Sequence, residues 1–179
     1  FLDLKLHDIP NTVARAVCAA GRHRAAMLTV HASGGKNMLK AAVEAARSCG
    51  DRAPAIVAVT TLTSLGPEDL ADLGVQRSVR EQALALGEMA IGAGADGLVA
   101  SAHESAELRR HFGDQILLVT PGIRPAGGTV GDQKRVATPA MAVKAGATHL
   151  VVGRPILEAP DPAMTTADII REIDEAGRR

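Results

Sequence analysis

The sequence predicts a parallel α/β fold from two features: short apolar runs alternate with longer Ala-rich segments, and polar residues follow each run. The runs are almost uninterrupted, as expected for parallel strands covered on both faces. Alternation of this kind implies right-handed crossovers between neighbouring strands. Strands are predicted at residues 1–6, 26–31, 55–60, 97–101, 116–120 and 149–153.

Helices are predicted between these strands, because residues that favour the start or the end of a helix stand there. Ser101-Ala-His-Glu104 has the capping-box pattern of a helix start. Thr138 before Pro139 predicts an N-cap followed by the first residue of another helix. Glycines, which favour helix C-termini, stand before the later strands at Gly21, Gly50, Gly94, Gly113 and Gly146.

Two architectures can be built from such units, a doubly wound open sheet and a (β/α)8 TIM barrel. Six strand–helix units are predicted, whereas a complete barrel has eight over about 250 residues. The chain also opens directly on a strand. A single barrel domain over residues 1–179 that lacks its first two βα units, with strands 3 to 8 present, explains both observations. An open sheet explains only the count.

Composition limits the classes of partner. Basic and acidic residues number 20 each, so the net charge is zero, which argues against a general nucleic-acid surface. No apolar run approaches the roughly 20 residues of a membrane span. Cys18 and Cys49 lack metal-ligand spacing and are expected to be reduced, which suits a cytoplasmic protein. With two Phe and no Trp or Tyr, the core is expected to consist of Ala, Val, Leu and Ile.

The opening segment FLDLKLHDIPNTV places charges in an apolar strand. Residues two apart on a strand share a face, so Asp3 and Lys5 are predicted to point the same way. A neighbouring carboxylate keeps an ammonium charged and oriented, as a proton donor requires. The alternative is a structural ion pair at a strand end.

Asp8 is too far along the chain to join this pair directly. It lies five residues beyond Asp3, about 16 Å in an extended chain. It can meet Lys5 if the loop folds back, or it can enter the site of a second subunit. A two-fold dimer would exchange this residue reciprocally.

A second set of residues has the chemistry of an anion site. Gly153 and Arg154 follow the last predicted strand, and Arg124 precedes a glycine-containing loop that ends at Gln133. Loops after the last two strands of such barrels commonly bind phosphate. Glycine lets backbone amides approach the anion, while arginine and glutamine side chains donate to it. The alternative is a solvated loop with two surface arginines.

The remaining polar features have simpler alternatives. The Thr60-Thr61-Leu62-Thr63-Ser64 segment carries hydroxyls that can bind the edge of a polar ring, or it is a helix-capping turn. His31, and similarly His7, are predicted to be packed, hydrogen-bonded histidines, with His7 facing away from Asp3 and Lys5. No metal-ligand or nucleotide-binding glycine motif is present, so a cofactor-free mechanism is predicted.

The motifs together resemble the orotidine 5'-phosphate decarboxylase family. DLKLHDIPNT is similar to that family's D-x-K-x-x-D-I-P-N-T core, and VHASGG, TTLTS, VTPGIRP, GDQ and VVGRP resemble its later segments in the same order. The resemblance implies a homodimeric (β/α)8 barrel with shared active sites. It also implies conversion of orotidine 5'-monophosphate to UMP and CO2 without a cofactor, in pyrimidine biosynthesis.

The resemblance further implies a role for each matching residue. Lys5 would protonate C6 of the pyrimidine, and Asp3 would lie beside it and the departing carboxylate. Asp8, Ile9 and Thr12 would come from the partner subunit to the ribose region. Thr63 would lie at the pyrimidine with Ser64 nearby. The phosphate would be held by Gln133, Gly153 and Arg154, with Arg124 near the same loop.

The sequence departs from the family pattern in one respect, and two other functions stay open. The family carries an Asp after its first strand and a Lys after its second, and neither segment is present in this sequence. A related, metal-using sugar-phosphate decarboxylase, such as one acting on 3-keto-gulonate 6-phosphate, shares the D-x-K-x-x-D pattern. A non-catalytic phosphate-binding barrel is the alternative from another class.

Overall fold

The apolar runs form strands and the segments between them form helices. The computed structural model describes residues 1–125 and 136–177. Within them the elements are, in chain order, β1 (Leu2–Leu6), α1 (Pro10–Arg22), β2 (Met27–His31), α2 (Lys36–Arg47), β3 (Ala55–Val59), α3 (Pro67–Asp72), α4 (Val79–Gly92), β4 (Gly97–Val99), α5 (Ala102–Phe112), β5 (Leu117–Thr120), α6 (Pro139–Lys144), β6 (His149–Leu150), α7 (Arg154–Leu157) and α8 (Pro162–Gly177). The parallel α/β prediction is confirmed.

The chain divides into two units. The first comprises Phe1–Thr61 and Arg80–Val99. Its strands are parallel and lie in the order β1-β2-β3-β4, so each strand pairs with the next one along the chain. Helices α1 and α2 pack against each other. The core is aliphatic as predicted, with fully buried Val17, Leu28, Leu39, Ile56 and Val57.

The second unit comprises Leu62–Val79 and Ala100–Arg179. Strands β5 and β6 are parallel, and α6 and α7 both contact α8. Arg109 of α5 donates to the carbonyl oxygens of Gly113 at 2.7 Å and of Gly146 at 2.8 Å. Because a guanidinium carries several donors in one plane, this side chain links the end of α5 to the turn after α6.

The predicted helix starts are confirmed. The Ser101 hydroxyl accepts from the His103 N–H at 3.1 Å at the start of α5. The Thr138 hydroxyl accepts from the Met141 N–H at 3.2 Å, with Pro139 as the first residue of α6. These contacts satisfy donors that a helix leaves unpaired at its first turn.

The predicted strands are present, but several end earlier than predicted. The strand predicted at 97–101 ends at Val99, and the one predicted at 149–153 ends at Leu150. In both places a helix begins soon after the strand, with Ser101 or Gly153 as its N-cap. The start of the next helix therefore limits strands that apolar composition alone would extend.

Strand β1 is less buried than predicted. Leu4 is 57% exposed and Phe1 is 48% exposed. The expectation of a strand covered on both faces was therefore wrong for this strand, which within the described ranges pairs with β2 alone. No helix in the part of the chain that the structure describes is long and apolar enough to cross a membrane.

Candidate active site

The candidate site of the first unit is built on an irregularity between β1 and β2. Leu2 lies opposite Leu28 and Leu6 lies opposite Val30, so four steps along β1 match two along β2. Lys5, within this segment, has φ of 48°. Residues other than glycine rarely adopt a positive φ, and those that do are concentrated at functional sites.

This irregular segment brings Asp3 and Lys5 together. The Lys5 ammonium forms an ion pair with Oδ2 of Asp3. The other carboxylate oxygen, Oδ1, accepts from the Thr29 hydroxyl at 3.0 Å. The same hydroxyl accepts from the Lys5 backbone N–H at 2.8 Å. Asp3, Lys5 and Thr29 therefore form one closed hydrogen-bonded group.

The predicted proximity of Asp3 and Lys5 is present, but the predicted reason for it was incomplete. Regular alternation assumes a strand that stays in register, whereas β1 shifts register between Leu2 and Leu6. Such a bulge re-aims side chains locally. The contact therefore depends on the bulge and on the positive φ of Lys5 as well as on spacing.

His31, at the end of β2, lies beside this group. Its ring packs against the ring of His7, with centroids 5.3 Å apart. Burial, His7 and the Lys5 ammonium together lower the pKa of His31, and the Asp3 carboxylate opposes them. The packing of His31 was predicted. The pairing of the two histidines was not, because residues 7 and 31 lie on different elements.

Gly34 lies where a side chain would crowd His7 and Met38. A Cβ placed on Gly34 would lie 3.2 Å from Cδ2 of His7, and it would collide with the Met38 side chain. A larger residue at position 34 would therefore press on His7 and Met38. The glycine of the VHASGG segment thus serves packing next to the Asp3–Lys5 pair.

The lowered pKa of His31 predicts acid sensitivity. Between this pKa and the ordinary value of about 6.5, the unfolded chain binds more protons than the folded one. The free energy of unfolding should therefore fall as pH drops through and below 6.5. Urea unfolding at pH 7.5 and pH 5.5 measures the difference, which His31→Gln should reduce. His103→Gln, at an exposed position of α5, is the control and should leave the difference in place.

The segment after β1 is exposed. Asp8, Ile9 and Thr12 are all exposed, and Ile9 is 66% accessible. Oδ1 of Asp8 accepts from the Ile9 N–H at 2.6 Å, immediately before α1. Among the described residues, the ion pair of Lys5 is with Asp3 and not with Asp8.

The predicted anion-binding residues that can be described lie in the second unit. Arg124 is only 9% exposed; its backbone N–H donates to the Ala137 carbonyl at 2.9 Å and its Nη1 to the Ile123 carbonyl at 2.8 Å. The alternative of two surface arginines was therefore wrong for Arg124. Arg154 is exposed at the start of α7, directly after the exposed Gly153. Gln133 lies outside the described residues.

Thr63 and Ser64 lie in a turn before α3. Thr63 is half-buried and Ser64 is exposed. The N-cap of α3 is Gly66, whose N–H donates to Asp69 at 2.6 Å, so Thr63 and Ser64 do not cap that helix. Within the described ranges there is no group of three or more His, Cys, Asp and Glu that could hold a metal ion.

The residue that sequence reasoning missed is Thr29. It lies within β2, where its β-branched side chain looks like an ordinary strand residue. A polar residue within the apolar run MLTV was the available signal. Its partners lie 24 and 26 residues away, so no local motif contains the contact.

The class of protein follows from the strands and the polar residues on them. This is a parallel α/β chain with a charged pair on β1 and polar residues after the later strands, a pattern typical of enzymes of that class. The family model described as "Orotidine 5'-phosphate decarboxylase / HUMPS family" matches residues 1–169. The chain belongs to this family.

Individual relatives agree with the family model. The chain is 51% identical over 179 residues to the orotidine 5'-phosphate decarboxylase of Gluconobacter oxydans, covering 98% of this chain and 76% of the relative. It is 49% identical to the one from Pseudoalteromonas translucida, covering 97% and 74%. The crystal structure of orotidine 5'-phosphate decarboxylase from Lactobacillus acidophilus matches with a TM-score of 0.84 at 40% identity, covering 97% of this chain and 74% of that one.

Proposed function

We infer that this chain is a carboxy-lyase that converts orotidine 5'-monophosphate to UMP and CO2 in pyrimidine biosynthesis. The observation that carries the inference is the Asp3–Lys5 ion pair, in a chain about half identical to proteins named for that activity. We further propose that the six βα units belong to a (β/α)8 barrel. The TM-score of 0.84 to a decarboxylase structure supports this architecture.

Lys5 is proposed as the proton donor. Loss of CO2 breaks the bond between C6 and the carboxylate, and the electron pair stays on C6. A fixed ammonium near C6 stabilises that charge electrostatically and then transfers a proton from Nζ. Lys5 is left neutral and regains a proton from solvent. The ion pair with Asp3 supports this role because it holds the Lys5 side chain in one place.

Asp3 is proposed to act on both the lysine and the substrate. One carboxylate oxygen orients the ammonium and the other is held by Thr29. A carboxylate fixed beside the substrate carboxylate disfavours the bound ground state and favours loss of CO2. Asp3 would thus contribute to catalysis without itself exchanging a proton.

The phosphate and the pyrimidine are proposed to be held by groups of the second unit. Gly153, Arg154 and Gln133 would bind the phosphate, with Arg124 near the same loop. The exposed guanidinium of Arg154 and the open space at the Cβ position of Gly153, within the described ranges, support this assignment. Thr63, with Ser64 nearby, is proposed to contact the pyrimidine. Binding the remote phosphate can supply energy that orients the reacting ring.

A homodimer with shared sites is proposed as the working form. Asp8, Ile9 and Thr12 would enter the partner's site near the ribose. Their exposure supports this, because residues that enter the site of a partner must be accessible on the surface of the single subunit. Analytical ultracentrifugation measures the oligomeric state directly.

The function is tested by following the loss of orotate-ring absorbance with orotidine 5'-monophosphate, with and without a chelator. Turnover that the chelator does not change is the expected result. Absence of turnover at any protein concentration would overturn the proposal. Turnover of 3-keto-gulonate 6-phosphate, abolished by the chelator, would instead favour the sugar-phosphate branch of the family.

A further inference from the structure

We propose that Thr29 is a positioning residue that fixes the Asp3–Lys5 pair in its working geometry. The inference rests on the proposed decarboxylase function and extends it to a residue that lies on the neighbouring strand. Thr29 is completely buried in β2, so its hydroxyl is shielded from water. Both of its hydrogen-bond partners are residues of the candidate site.

The direction of both hydrogen bonds follows from the chemistry of the partners. The Lys5 backbone N–H can only donate, so the Thr29 oxygen accepts at 2.8 Å. An ionised carboxylate can only accept, so the Thr29 hydroxyl proton points to Oδ1 of Asp3 at 3.0 Å. The hydroxyl has one proton, and that proton is committed to Asp3. Thr29 therefore orients the carboxylate of Asp3 that pairs with Lys5.

The position of Thr29 in the sheet explains why a side chain is needed. Thr29 stands between Leu28, opposite Leu2, and Val30, opposite Leu6, so it faces the part of β1 that is out of register. In a regular parallel ladder a backbone carbonyl would accept from a strand N–H. Here the hydroxyl accepts from Lys5, and this bond stabilises the positive φ at that residue.

The two bonds also leave Asp3 little freedom. Oδ1 is held by Thr29 and Oδ2 by the Lys5 ammonium, so rotation of the carboxylate breaks one bond or the other. The backbone of Lys5 is thus tied to Thr29 directly, and its ammonium is tied to Thr29 through Asp3. Small errors in placing a reacting group lower the rate steeply, by up to about 10²-fold for 1 Å.

The test compares Thr29→Val with Thr29→Ser. Valine keeps the shape of threonine and removes both hydrogen bonds, whereas serine keeps the hydroxyl. We expect Thr29→Val to lower kcat by roughly 10- to 100-fold with KM changed less than about 3-fold. Thr29→Ser should remain within about 3-fold of wild type in kcat. Equal kcat in wild type and Thr29→Val would overturn the inference.

A matched control separates positioning from stability. The Thr148 hydroxyl likewise bridges a neighbouring strand, accepting from the Leu118 N–H at 2.8 Å and donating to the Leu118 carbonyl at 3.1 Å. Thr148→Val should lower the urea midpoint without lowering kcat. If both valine variants lower kcat equally, Thr29 has only a structural role and the proposal is wrong.

A second measurement does not depend on turnover. Hydrogen exchange of the Lys5 amide, measured by NMR on protein labelled at lysine, reports the bond to Thr29. It should accelerate about 10-fold or more in Thr29→Val relative to the Lys40 amide of α2, and it should not accelerate in Thr148→Val. Unchanged exchange would contradict the positioning role of Thr29, whether or not the protein turns over orotidine 5'-monophosphate. Inactivity on that substrate would overturn the proposed function and would leave the exchange result to decide the role of Thr29.

Discussion

Lys5→Ala is expected to lower kcat for orotidine 5'-monophosphate by at least about 10³-fold, because it removes both the proton donor and the charge proposed to stabilise C6. The affinity for the product UMP should change far less, since the residues proposed to bind its phosphate remain. Single-turnover absorbance measurements at high protein concentration give the rate. Isothermal titration calorimetry with UMP gives the affinity.

Lys40→Ala is the matched control, since Lys40 is an exposed lysine on α2. It should leave kcat within about twofold, as expected for a surface substitution. A Lys5→Ala protein that folds normally and keeps full activity would exclude the mechanism proposed for Lys5.

Lys5→Gly adds a measurement that separates function from stability. At φ of 48° glycine has no Cβ penalty, whereas alanine retains it. We expect Lys5→Gly to be about 1 kcal/mol more stable than Lys5→Ala in urea unfolding, with both equally inactive. A lysine in a conformation that suits glycine indicates that the side chain is kept for its chemistry. Equal stability of the two variants would remove that reasoning.

The fold was largely predictable because it depends on local patterns. Apolar runs predicted the strands, and Ser101 and Thr138 predicted helix starts that hydrogen bonds confirm. The ends of strands were less predictable, since they depend on where the next helix begins. The exposure of Leu4 was also missed, because burial of a strand depends on its neighbours and not on its own composition.

The candidate site was predictable in its charges but not in its geometry. The spacing of Asp3 and Lys5 indicated a pair, and the two side chains do form an ion pair. The register shift, the positive φ of Lys5 and the contact of Thr29 require the neighbouring strand to be in place. The packing of His7 on His31 has the same origin. Contacts between residues about 24 positions apart carry no local signature in a single sequence.

Arg154→Ala is expected to lower kcat/KM for orotidine 5'-monophosphate by about 10²-fold, mainly by raising KM. The guanidinium is exposed at the start of α7 and is proposed to bind the phosphate through two parallel hydrogen bonds. Arg154→Lys should recover only part of the loss, because an ammonium lacks the planar fork of donors. Steady-state absorbance assays over a range of substrate concentrations separate KM from kcat.

The assignment to phosphate is tested with orotidine, which carries the same ring and ribose but no phosphate. If Arg154 acts on the phosphate, Arg154→Ala should lower kcat/KM for orotidine 5'-monophosphate and leave the slow reaction of orotidine unchanged. Arg171→Ala is the matched control, since Arg171 is an exposed arginine on α8 that pairs with Asp168 at 3.1 Å. Equal losses on both substrates would place the effect of Arg154 on the ring or on the fold, and the phosphate would then need another ligand.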